Sequence, residues 1–168
     1  TELINRTDFA EEYIRHMEEE APIPLLPITT ARTFGLPVNY VVEQNLKFYM
    51  QESKVIQEMA EKSDCVIVGR CADYLLNENP RCVRVFVHAD IDIRLKRAIE
   101  VYGLPKDTGE NFIRKKDRRR ASYYQYYTDN KWGDYENYHL ILDSGAVGIE
   151  NASEVILAYA KGMPQKEE

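Results

Sequence analysis

Three short, largely apolar runs rich in β-branched residues, Asp64 to Val68, Val83 to Val87 and Tyr138 to Leu142, interrupt a chain that otherwise reads as helix. Apolar residues in near-continuous order, rather than in alternation, mark strands covered on both sides. Strands that alternate with helices predict an α/β fold, a parallel sheet with helices on both faces. Ligands in that architecture sit beyond the carboxyl ends of the strands. Three segments occupy such positions here: Gly69-Arg70, His88-Ala89-Asp90 and Asp143-Ser144-Gly145.

The helices carry their own punctuation. Thr7-Asp8 opens one that runs to Glu20, with Asp8 and Glu11 spaced as a capping box. Residues 21–38 hold four prolines and Gly35 and read as a connection. A long helix follows over about 39–62, with Val42, Leu46, Tyr49, Ile56 and Met59 expected along its packed side. Ala72 to Leu76 is a short helix. Asp90 is expected to cap the next, whose stripe is Ile91, Leu95, Ala98, Ile99 and Tyr102 and whose stop is Gly103 followed by Pro105. A polar helix over 108–127 and a closing helix over 151–161 complete the reading.

With 168 residues the chain fits a single domain. Its expected parts are an N-terminal lobe and following helix (1–62), core strands and helices (63–107), a polar helix with its loop (108–137), and a last strand with its helix (138–168). No apolar run approaches the roughly 18 residues of a membrane span, and no signal-like stretch opens the chain. Cys65, Cys71 and Cys82 are odd in number and match no zinc spacing. They read as small buried thiols in a reducing compartment, the cytoplasm, and no metal-ligand set is expected.

Chemistry concentrates in one helix. Arg114-Lys115-Lys116-Asp117-Arg118-Arg119-Arg120 has a net charge of +5 in a chain whose total is −6, leaving −11 on the rest. Like charges so crowded repel unless an anion neutralises them, and phosphate suits the planar donor fork of arginine. The acidity of the remaining chain disfavours a nucleic-acid partner. Ile113, Asp117, Arg120, Tyr124 and Tyr127 fall on one helix face, so the side that should pack carries an acid and an arginine. Such an inward pair needs a partner or a wet cleft. Half of the 12 tyrosines lie between Tyr123 and Tyr138, beside Trp132, and are expected to pack this helix on the body.

The ordered set Val66-Ile67-Val68-Gly69-Arg70-Cys71-Ala72-Asp73-Tyr74, then Ile113 through Arg120, Tyr123-Tyr124, Trp132-Gly133 and Leu142-Asp143-Ser144 resembles the cytidylate kinase-like family, a branch of the P-loop nucleoside monophosphate kinases. The resemblance covers most of the chain from about residue 39 onward, with residues 1–38 a looser match, and it implies that residues 1–62 hold the acceptor-nucleotide lobe and its following helix and that 108–137 form a lid. It implies transfer of the ATP γ-phosphoryl group, with Mg2+, to CMP or a related pyrimidine monophosphate. By position, Arg70, Asp117 and Arg120 would hold the acceptor. Arg114, Arg118 and Arg119 would fold over the moving phosphoryl group, with Arg94 and Arg97 behind them. Asp143, Ser144 and Gly145 would lie near the donor's adenine.

Two departures from the family pattern stand out. Val68 and Cys71 flank the Gly-Arg pair where bacterial cytidylate kinases commonly carry acids that help read cytosine, so the acceptor base stays open. The first glycine is Gly35 and none of the eight is followed by lysine, so residues 1–168 contain no Walker-type loop. The expectation is that the loop and its strand precede Thr1 in a longer protein. The alternative is a catalytically inactive nucleotide-binding or regulatory domain.

Overall fold

The computed structural model describes residues 38–163; the helix expected over 7–20 and the connection up to residue 37 lie outside them. In chain order the elements are α1 (Val38–Lys62), α2 (Ala72–Leu75), β1 (Val85–His88), α3 (Ile91–Tyr102), α4 (Gly109–Thr128), a 3-10 turn (Tyr135–Asn137), β2 (Leu140–Asp143), α5 (Ser144–Val147) and α6 (Ile149–Gly162). β1 and β2 pair in parallel, Val85 opposite Leu140 and His88 opposite Asp143. Parallel neighbours need a long crossover, and α3 and α4 supply it. The fold is mixed α/β with a small parallel sheet, which bears out the expected class in that form.

The strand expected at Asp64 to Val68 is not formed. The segment joins no ladder, and Val66 and Val68 are 93% and 87% exposed. A β-branched run acquires strand structure only when a neighbour takes up its amide and carbonyl groups, and among the described residues none lies beside it.

Helix ends follow their local signals closely. Gly103 adopts φ +67 after α3, and Leu104 N–H reaches Ala98 O at 3.1 Å while Gly103 N–H reaches Ile99 O at 3.2 Å. This is the glycine-terminated closure that the sequence predicts. Asp90 stands at the N-cap of α3, but its side chain makes no capping hydrogen bond. α4 starts at Gly109, where a Cβ would lie 2.7 Å from Leu95 Cδ1, so the glycine lets α4 lie close against α3.

The packed face of α1 is the expected one at Ile56 and Tyr49 but not at Val42, Leu46 and Met59. Asn45, Phe48, Glu52, Val55 and Ile56 are buried, while Val42, Leu46 and Met59 are exposed. Tyrosines from α4 decide this: Tyr127 stacks on Tyr49 at 3.9 Å and 11°, and its hydroxyl donates to Asn45 O at 3.4 Å. The far end of α4 is fixed to the sheet. Trp132 meets Phe86 of β1 edge-on at 5.2 Å, Tyr138 lies 5.1 Å from the same ring, and Gly133 at φ +77 fits where a Cβ would be 3.0 Å from it. Of the cysteines, Cys71 is buried, Cys82 half-buried and Cys65 exposed, so the expectation of three buried thiols fails at Cys65, whose segment has no ladder partner to cover it.

Candidate functional site

The connection from residue 68 into α2 is an unusual turn. Gly69, Arg70 and Cys71 have φ of +74, +57 and +54, three left-handed residues in a row. For a residue with a Cβ that conformation costs about 1–2 kcal/mol, and it persists where surrounding contacts over-determine it. Cys71 is 2% exposed, and burial, with the nearby Asp73 and Glu52 carboxylates, pushes its thiol up to about 12. It is therefore a packed, unreactive group at neutral pH.

Arg70 is thereby directed between α1 and α4. Its Nε lies 3.3 Å from Glu52 Oε1, and its guanidinium sits over the Tyr123 ring at 5.9 Å. Tyr123 Oη donates to the other carboxylate oxygen, Glu52 Oε2, at 3.1 Å. Burial raises the Tyr123 hydroxyl pKa, as does the adjacent Glu52 charge, so the phenol stays a donor. One residue on, Tyr124 Oη donates to Asp73 Oδ2 at 2.6 Å and ties α4 to α2.

A second cluster lies one to two turns earlier on α4. Arg94 of α3 binds both oxygens of Asp117, Nη1 to Oδ2 at 2.7 Å and Nη2 to Oδ1 at 2.8 Å. Arg120 also reaches Asp117 Oδ1, and its guanidinium lies 5.1 Å from the centre of the Trp132 ring. Burial pushes the Asp117 carboxyl up, but the hydrogen bond and charge of Arg94, with those of Arg120, outweigh it and hold the group below the usual carboxylate range. The same hydrogen bond raises Arg94.

The structure thus joins Asp117 to Arg120, as the spacing predicts, and puts Arg70 against Tyr123 three residues further along α4. Arg94, a lesser candidate in the sequence, is the principal partner of Asp117. Arg114 is half-exposed and pairs with Glu110 at 2.8 Å, Arg118 is exposed, and Arg119 is half-buried. The buried acid Glu52 escaped the sequence reading. Its signal was an acid on the apolar stripe that links Phe48 to Val55 and Ile56.

Asp143, Ser144 and Gly145 hold together the carboxyl ends of the strands. Asp143 Oδ1 accepts from Gly145 N at 2.9 Å and Ala146 N at 3.2 Å, and Ser144 Oγ donates to His88 O at 3.0 Å. A Cβ on Gly145 would lie 2.7 Å from Ile93 Cδ1, so the turn presses on α3. A polar cavity of about 150 Å³ lies near the amino ends of the strands, lined by Arg84 and Asn137 together with Asp73 and Tyr124.

The model of the cytidylate kinase-like family matches residues 1–146. The chain belongs to that family. A crystal structure of an uncharacterized protein from Eubacterium ventriosum is similar, with 32% identity, a TM-score of 0.66, and 72% of this chain and 76% of that chain covered. No functionally curated protein matches the chain.

Membership in the cytidylate kinase-like family suggests use of a nucleotide and a metal. The cationic face of α4 suits phosphate oxygens. Among the described residues no group of three or more His, Cys, Asp or Glu could hold a metal ion. Nor is any described helix long and apolar enough to cross a membrane.

Proposed function

We propose that this chain carries the acceptor side of a nucleoside monophosphate kinase-like phosphotransferase, which moves the ATP γ-phosphoryl group, with Mg2+, to CMP or a related pyrimidine monophosphate. The observation that carries the reading is Arg70, held in a left-handed turn and clamped between Glu52 and Tyr123. An arginine so constrained presents a fixed cation where a phosphate can meet it, with little ordering left to do on binding.

In this reading Arg70 and Arg120 take the acceptor phosphate and Asp117 sets Arg120. Arg114, Arg118 and Arg119 of α4 close over the transferring group as part of a lid over 108–137. Asp143, Ser144 and Gly145 shape the rim near the donor. The chemistry asks the protein to align two anions and spread positive charge around the moving phosphoryl group, so no general base is required.

The test is ADP production by the full-length protein with Mg2+, ATP and each of CMP, dCMP and UMP. Turnover with at least one is expected, and none with any would overturn phosphotransfer. A thermal shift with a monophosphate but not with ATP would favour the binding-only alternative.

A further inference from the structure

We infer that Glu52, on the buried face of α1, is a positioning residue for the acceptor: it acts on the monophosphate through Arg70. This inference rests on the proposed acceptor role of Arg70. Glu52 is 3% exposed. An acid so enclosed is costly unless compensated by charge and hydrogen bonds, and two of its compensating groups lead to the candidate site. Oε1 faces Arg70 Nε at 3.3 Å, and Oε2 accepts from Tyr123 Oη at 3.1 Å.

The arrangement fixes Arg70 on two sides. Glu52 engages the inner edge of the guanidinium at Nε, and the Tyr123 ring lies under its plane at 5.9 Å. Nε is one end of the donor fork; the paired terminal nitrogens are the part best suited to two phosphate oxygens. An acid at Nε sets the direction of that fork. It also lowers the net positive charge, so a purely electrostatic anion site would do better without it. A buried acid beside Arg70 therefore favours orientation over attraction. Tyr123 links the two functions, since its hydroxyl orients the carboxylate while its ring supports the arginine.

The experiment measures CMP, dCMP and UMP binding by calorimetry, and the separate KM values for monophosphate and ATP, in wild type, Glu52→Gln, Arg70→Ala and the double variant. Loss of the charge that pairs with Arg70 should weaken monophosphate binding about tenfold in Glu52→Gln, with the KM for ATP unchanged. Because Glu52 acts through Arg70, the double variant should bind no more weakly than Arg70→Ala alone. Tyr123→Phe, which keeps the ring and removes the hydroxyl, should weaken binding by a smaller factor and covers the case in which Glu52→Gln does not fold. Additive losses in the double variant, or unaltered binding in a folded Glu52→Gln or Tyr123→Phe, would overturn the inference. If wild type binds no monophosphate, the acceptor reading itself has failed.

Discussion

Arg94 and Asp117, 23 residues apart in sequence, meet as a two-pronged bridge between α3 and α4, with nitrogen–oxygen distances of 2.7 and 2.8 Å. The bridge is half-buried, so it matters more than an exposed pair and less than a fully enclosed one. Arg94→Ala should lower unfolding free energy by about 1–2 kcal/mol, read as a shift in urea midpoint. An unchanged midpoint would make the contact ornamental.

The same bridge sets an acid limit. Asp117 titrates below the usual carboxylate range in the folded chain because Arg94 and Arg120 outweigh its burial. Its contribution is therefore complete above about pH 4, the unfolded value, and fades as pH falls through the lower folded one. Asp117→Asn should be less stable at neutral pH and should lose that part of the acid dependence. Parallel stability profiles between pH 2 and 6 for the two proteins would refute the assignment.

Trp132 is the only tryptophan, and Arg120 lies over its ring. Monophosphate binding should therefore alter intrinsic fluorescence. Arg120→Ala should abolish most of that response and weaken acceptor affinity. Since the Arg120 side chain is 55% exposed, the melting temperature should barely move. A large drop in melting temperature with unaltered binding would return Arg120 to a structural role.

Cys71 and Cys65 should react very differently. A thiol pushed up to about 12 by burial stays protonated at pH 8, whereas Cys65 is exposed. Alkylation followed by peptide mass mapping should label Cys65 quickly and Cys71 only on unfolding. Equal labelling in the native protein would contradict the packing around α2.

Gly69 has open space around it, yet its φ is +74. Gly69→Ala should therefore cost about 1–2 kcal/mol through backbone conformation alone, and should weaken monophosphate binding by disturbing Arg70. Chemical denaturation and calorimetry on the same samples separate the two effects; no change in either would show that the turn tolerates a side chain.

Much of the helical frame was legible because its signals are local. Gly103 and Pro105 end α3 within a few residues of themselves, and the polar stretch that starts at Gly109 declares its packed face through Ile113, Asp117 and Tyr124. What was illegible depends on distant partners. Val66-Ile67-Val68 has the composition of a strand, but composition does not supply a neighbour for its backbone. The buried side of α1 is chosen by Tyr123 and Tyr127, which arrive from more than 70 positions away. Glu52 went unnoticed for the same reason: an acid in a helix is normally solvated, and only its contact with Arg70 and Tyr123 shows otherwise. Asp117 and Arg120 could be paired in advance because three residues along a helix bring them together.

Val66 and Val68 stand almost wholly in water, without a partner strand among the described residues. Bare β-branched surface of this kind is adhesive. Concentrated solutions of this polypeptide should first cloud or self-associate at that stretch, and replacing the two valines with lysine or threonine is the direct way to keep it dispersed.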